Sequence, residues 1–359
     1  MSDAPATRSE QRVLEIIETA RSKRARFRDD HITMAHGAGG KASQALVEGL
    51  LAPAFASPAL DALGDAGVVG DLALTTDSFV VKPLRFPGGS IGELAVNGTV
   101  NDLAVSGARA LALSVALILE EGLDAETLRG EVAAIAAAAE AAGVEVVTGD
   151  TKVVERGHCD GMFVCTTGVG RLDPRARLST AGLRPGDRIL VSGTIGDHGT
   201  AIMLARGELG LDAPIASDTR SLWPAADALL GAAGDALHAM RDATRGGVAS
   251  SLNELARSSG VAMVVRERDV PVAPAVAGAA ELLGIDPMHV ANEGKLVAFA
   301  APERAEAALA ALRAVPGCEA AAEIGEVRTE PPGMVLVETS FGGRRVMDQL
   351  TGDPLPRIC

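Results

Sequence analysis

The sequence has no tyrosine, one tryptophan and seven phenylalanines, so aromatics make up 2% of its 359 residues. Platforms that stack nucleic-acid bases need such rings, with basic clusters beside them. Basic residues are in the minority too: 33 Lys and Arg stand against 47 Asp and Glu, a net charge of −14. Neither a nucleic-acid partner nor an anionic membrane surface is expected of this composition. Long apolar runs are also missing. The best, residues 110–119, is stopped by Glu120 and Glu121, short of the roughly 18 residues of a membrane span. The first thirty residues carry charge throughout and lack an apolar signal-peptide stretch. The expected compartment is the cytoplasm.

Cysteine is scarce. Cys159, Cys165, Cys318 and Cys359 form no CxxC pair, which argues against zinc-ribbon and thioredoxin-type chemistry. The histidines show no HxxxH or HExxH spacing, and His198 in GDHG is expected to be structural. Cys159 and Cys165 read as buried or incidental thiols. Cys359 stands apart: as the final residue it adds nothing to a core unless the whole tail docks.

What is present is an ordinary globular composition, 47% hydrophobic and 22% charged, in a chain long enough for two domains. Residues 1–34 read as an appendage, with Val13, Ile16, Ile17 and Ala20 at helical spacing. Residues 35–172 and 173–340 read as two α/β units, divided by an aperiodic stretch containing Pro174, Pro185 and Gly186. In the first unit, residues 72–76 alternate like a strand and end on Asp77. Ser90 and Glu93 form a capping-box pattern for a helix ending at Gly107, and Asp124 caps another that closes at Gly143. Residues 144–147 predict a buried strand, with residues 162–169 as a hairpin partner through Arg156 and Gly157. Strands at 188–191, 261–265, 296–300 and 334–338 and helices near 200–206 and after Gly247 are expected in the second. Residues 341–359 hold Gly342, Gly343, Gly352, Pro354 and Pro356, the composition of an extended tail hinged at the glycine pair.

Five aspartates share one context, at strand ends or in a helix beside small residues: Asp65, Asp77, Asp102, Asp150 and Asp242. Each alone is explained by a turn or a cap. Gathered together they would repel, and a hard cation such as Mg²⁺ bridging to phosphate oxygens accounts for them jointly. GAGGK at 37–41 has the composition of a phosphate loop without the Walker pattern: Ala42 follows Lys41 where Ser or Thr would coordinate Mg²⁺. DATRGG at 242–247 precedes a helix whose free N–H groups favour anions. Glu93, Asn97 and Asn101 recur every four residues on one face of the helix after Ser90, as a solvated face or the wall of a cleft.

AHGAGGK at 35–41, TTDSFVV at 75–81, FPGGSIGELAVNGTVNDLAVSGA at 86–108, GDTKVV at 149–154, DATRGG, ANEGK at 291–295 and the terminal PRIC together resemble the HypE family. These are hydrogenase-maturation carbamoyl dehydratases, within the superfamily of aminoimidazole ribonucleotide synthetase, selenophosphate synthetase and thiamine-monophosphate kinase. Asn97 stands where that likeness leads one to expect a small thiol side chain. The resemblance implies a two-domain α/β (α+β) fold of the aminoimidazole ribonucleotide synthetase type, a homodimer formed through the first sheet, and ATP in a cleft between domains. It implies that a carbamoyltransferase, HypF, loads a carbamoyl group onto Cys359. ATP then drives its dehydration to a thiocyanate, and the cyanide passes to iron on a HypC–HypD scaffold. Asp65, Asp77, Asp102 and Asp150 would hold Mg²⁺. Gly39, Gly40 and Lys41 would cover the phosphates, with Asn101, Thr151 and Asp242 at the nucleotide. Lys152 and Glu293 would position and deprotonate the carbamoyl nitrogen. The rival readings are a small-molecule kinase of the same superfamily and a non-catalytic nucleotide-binding scaffold with a docking tail.

Overall fold

A computed structural model describes residues 26–207, 213–352 and 357–359. The helix expected around Val13 to Ala20, and Pro354 and Pro356 of the tail, lie outside the described residues. Two sheets carry the fold, giving the expected two-unit α/β arrangement. The first contains β1 (Gly67–Val69), β2 (Leu72–Phe79), β5 (Ala108–Glu120), β6 (Glu145–Val154) and β7 (Met162–Leu172) in the order β1-β2-β7-β5-β6; β3 (Arg85–Phe86) and β4 (Gly89–Ser90) form a separate two-residue hairpin. The second contains β8 (Arg188–Val191), β9 (Leu237–Asp242), β10 (Ala262–Arg266), β11 (Leu296–Ala300), β12 (Ala322–Arg328), β13 (Val335–Glu338) and β14 (Arg344–Met347), in the order β14-β13-β10-β12-β8-β11-β9.

The helix Ile91–Val105 is the axle between the units. It is buried on nearly all sides, packing on β2, β5 and β7 and also on β9 and the helix Trp223–Ala233. The expected capping box is not formed: the Ser90 hydroxyl makes no cap bond. Its place is taken by Glu131, from the helix Ala125–Ala142. That buried carboxylate accepts the Gly92 N–H at 3.1 Å and pairs with Arg85 at 2.8 Å. A helix buried at both ends needs its orphan N–H groups satisfied by protein, and a carboxylate there also complements the helix dipole. Asp124 does cap its own helix as expected, accepting from the Glu126 and Thr127 N–H groups, and Gly143 closes it in the left-handed region.

Three further expectations are corrected. β6 and β7 are not hairpin partners, because β5 lies between them, parallel to β6 and antiparallel to β7. The helix after β5 carries the chain back to start β6 beside it, as parallel pairing requires. β6 is also not buried: beyond Val144 the strand is exposed, Val147 by 62% and Val153 by 66%. Its apolar residues cover no core within the chain. Lastly, Gly342 and Gly343 are the turn of a hairpin rather than a hinge. Thr339 and Gly343 exchange hydrogen bonds there, and Arg344–Met347 pairs with β13. The tail therefore leaves the sheet only after Met347.

Candidate functional site: an acidic cavity holding the terminal cysteine

The ends of β2 and β9, the axle helix and the segment before β11 converge on one cavity. Asp77, Ser78, Phe79, Gly98, Asp102, Asp242, Thr244, Arg245, Glu293 and Cys359 line it. One carboxylate oxygen from each of Asp65, Asp102 and Asp242 falls within 4.8 Å of the others. Two full charges at that spacing repel by about 3 kcal/mol at an effective dielectric constant of about 20. Burial pushes the carboxyl of Asp65 up to about 6, and Asp77, Asp102, Asp242 and Glu293 are raised for the same reason, their acidic neighbours adding to the rise in the last three. Thr75 steadies Asp102 through a 2.6 Å hydrogen bond. Arg241 offsets part of the charge, pairing with Asp65 at 3.1 Å and Glu254 at 2.8 Å. An all-oxygen, electron-rich donor set of this kind fits a hard divalent cation.

The glycine-rich loop sits at the rim. Arg245 donates to the Gly37 carbonyl at 3.2 Å and Ser250 to that of Gly39 at 3.1 Å. Gly39 has φ +72°, and a β-carbon there would lie 2.8 Å from the Arg245 carbonyl oxygen, so only glycine lets these segments meet. Arg245 reaches inward as well: the charge of Cys359 is the strongest influence raising its guanidinium.

Glu293 and Cys359 both line the cavity wall. The Glu293 Oε1 is buried without a hydrogen-bond partner, and the Glu293 backbone N–H is fixed by Asp218 at 2.9 Å. Asn101 behaves differently from expectation. Its amide donates to the Arg220 and Glu293 carbonyls, both at 2.9 Å, and its oxygen accepts the Leu222 N–H at 2.7 Å. That side chain is spent bolting the axle helix to the second unit. Asp150, Thr151 and Lys152 are not brought to the cavity by the fold of the chain. They lie on exposed β6, where Lys152 pairs with Asp150 at 2.9 Å. The reason is topological, since β6 is at the sheet edge and β2 supplies the cavity from the far side of β7 and β5. Lys41 is at the rim, paired with Asp348.

Arg241 and Arg245 were missed as functional residues, although both stand in the RDATRGG segment. Asp218 carried no signal, and Lys295 stood in ANEGK without a role; the two form a buried pair at 3.1 Å, and their charges meet only in the fold.

The model of AIR synthase related protein, N-terminal domain, matches residues 63–172, and that of its C-terminal domain matches residues 184–337. Carbamoyl dehydratase HypE of Rhodobacter capsulatus is 49% identical over 342 residues, covering 93% of this chain and 99% of that protein. A crystal structure of a HypE–HypF complex superposes with TM-score 0.82 at 45% identity, over 85% of this chain and 99% of that one. Hydrogenase maturation protein HypE in complex with ATP superposes with TM-score 0.77 at 46% identity, over 92% of this chain and all of that one. The chain with this acidic cavity and its docked terminal cysteine belongs to the HypE family of carbamoyl dehydratases.

Proposed function

We propose that the protein dehydrates an S-carbamoyl group on Cys359 to a thiocyanate at the expense of ATP, supplying cyanide for the iron of [NiFe]-hydrogenase. The observation that carries this reading is the docking of the C-terminal residue into a cavity of buried carboxylates. A thiol held there meets phosphate chemistry and a base at one place. The carbamoyl oxygen attacks the γ-phosphorus and ADP leaves. The C–O bond then breaks with phosphate as leaving group, both nitrogen protons are lost, and sulfur is left bearing C≡N. Atoms balance as one water removed, its oxygen ending on phosphate.

Glu293 is the base assigned to the nitrogen. A carboxyl raised by burial, with one oxygen unpartnered, binds a proton strongly once ionised. Arg245 offsets negative charge at Cys359. Asp65, Asp77, Asp102 and Asp242 would hold Mg²⁺, which when bound offsets the charge on the transferring phosphoryl group. Gly39, Gly40 and Lys41 would lie over the phosphates.

We also assign the protein a homodimer, paired through β6. Its exposed valines and open edge are what an isolated sheet avoids. Asp150, Thr151 and Lys152 then belong to the dimer seam, from which they would reach the cavity of the second copy. HypF as carbamoyl donor and HypC–HypD as acceptor complete the reading, in the cytoplasm; among the described residues no helix is long and apolar enough to cross a membrane. The test is intact-protein mass spectrometry after incubation with the carbamoylating partner and ATP. Loss of one water from carbamoylated protein is expected, and its absence would overturn the assignment.

A further inference from the structure

The last three residues lie against the molecule, with Arg357 turned into the left-handed region at φ +60°. Val80 donates its N–H to the Cys359 carbonyl oxygen at 3.0 Å and Lys82 donates to Arg357 at 3.3 Å. The carbonyl between these two, that of Ile358, faces the second unit. There it meets His198 Nε2 at 2.6 Å. His198 is fully buried in the helix Asp197–Ala205, edge-on to Phe86 with ring centroids 5.6 Å apart. Its Nδ1 lies 2.8 Å from the Ser217 hydroxyl.

The protonation pattern follows from the partners. A carbonyl only accepts, so Nε2 carries the proton. The Ser217 oxygen already accepts the Thr219 N–H at 3.2 Å, which leaves its own proton for Nδ1. Burial lowers the imidazole below its ordinary value and keeps it neutral. Ser217 thus sets the tautomer, and the tautomer makes the bond to the tail. Two side-chain contacts act one residue earlier: Arg206 donates to the Arg357 carbonyl at 2.7 Å and Arg357 pairs with Asp160. His198 holds the carbonyl of the peptide bond that leads into Cys359.

We infer that His198 is a positioning residue for the reacting sulfur, fixing the Ile358–Cys359 peptide so that the Cys359 side chain enters the acidic cavity. The inference rests on Cys359 as the carrier of the carbamoyl group. Its physical content is orientation, since a group free to rotate about that bond spends little time near the base. Without the tail, moreover, a fully buried donor would be left without a partner, so docking satisfies both sides.

The experiment uses the full chain with His198→Ala, His198→Gln and Ser217→Ala. Iodoacetamide labelling of Cys359 is followed by peptide mass spectrometry, and single-turnover dehydration of the carbamoylated protein is timed with ATP. Loss of one hydrogen bond predicts about tenfold faster labelling and about tenfold slower turnover in His198→Ala, with ATP affinity unmoved. His198→Gln, whose amide can donate in place of Nε2, should recover most of both. Ser217→Ala should fall between. Labelling and turnover unchanged in His198→Ala, or no rescue by Gln over Ala, overturn the proposal. If the Ala variant does not fold, the Ser217→Ala result decides in the same sense. If wild-type carbamoylated protein never loses water, the dehydratase reading falls, while the labelling comparison still decides for or against His198.

Discussion

Lys41 gives its backbone N–H to the carbonyl of Leu350 at 3.0 Å, and its ammonium pairs with Asp348 at 2.7 Å. The glycine-rich loop and the root of the tail are therefore one hydrogen-bonded unit. Arg257 reinforces it, bridging Gln44 at 2.6 Å and Gln349 at 2.8 Å. Gly40 packs directly beneath the Leu350 carbonyl, where any β-carbon would collide. A loop that moves onto phosphates takes Lys41 from Asp348 and so pulls on the tail. Gly40→Ala is expected to push the two segments apart and make Cys359 more reactive toward alkylating reagents. Equal reactivity in the variant and the wild type would count against the coupling.

The buried carboxylates fix a pH dependence with a definite sign. A carboxyl raised in the folded state binds protons more tightly there than in the unfolded chain, so the folded state holds the extra protons and stability falls as pH rises. For Asp65 the loss begins near its ordinary value, 3.8, and is complete above about 6. In chelator the melting temperature should be lower at pH 7 than at pH 5, and Mg²⁺ should restore it at pH 7. Asp102→Asn should raise the metal-free melting temperature at pH 7 and blunt the Mg²⁺ response. A melting temperature that climbs from pH 5 to 7 in chelator would contradict the cluster's assigned role.

Glu293→Gln keeps the shape of the side chain and removes its basicity. Since a positioned base contributes typically about 10²- to 10⁴-fold, turnover of carbamoylated protein should slow by about that much. The loss should appear in kcat and not in ATP affinity measured by calorimetry. A weakened affinity with unchanged kcat would reassign Glu293 to the nucleotide.

Val147→Lys places a charge on the exposed face of β6 and covers nothing within the chain, so folding should be preserved. Like charges would then face each other across a dimer formed by that strand. Light scattering should show a mass falling to 36.5 kDa in the variant. A variant that remains dimeric would move the interface elsewhere.

Local chemistry was legible in the sequence wherever the residue and its neighbours were enough. Asp65, Asp77, Asp102, Asp150 and Asp242 were gathered by one signal, small residues at a strand end or in a helix, and the fold brings all but Asp150 to the cavity or its carboxylate cluster. Asp124 and Gly143 could be read as helix ends from the local rules that govern them. Cys359 could be singled out because a lone terminal thiol has no packing role.

What depended on two distant segments meeting was decided only by the tertiary structure. Nothing local to Asn101 distinguishes a ligand-facing amide from one already satisfied by Arg220, Glu293 and Leu222. Nor could Ser90 announce that Glu131, on another helix, would take over its capping role. Residues 144–147 are apolar enough for a core strand, but sheet order placed β6 at an edge and carried Asp150 and Lys152 away from Glu293. His198 gained its partner from the far end of the chain, 160 residues on. Propensity and periodicity act within a few turns of chain. Strand order and tail docking are set by which apolar faces and unsatisfied polar groups find one another across the whole molecule.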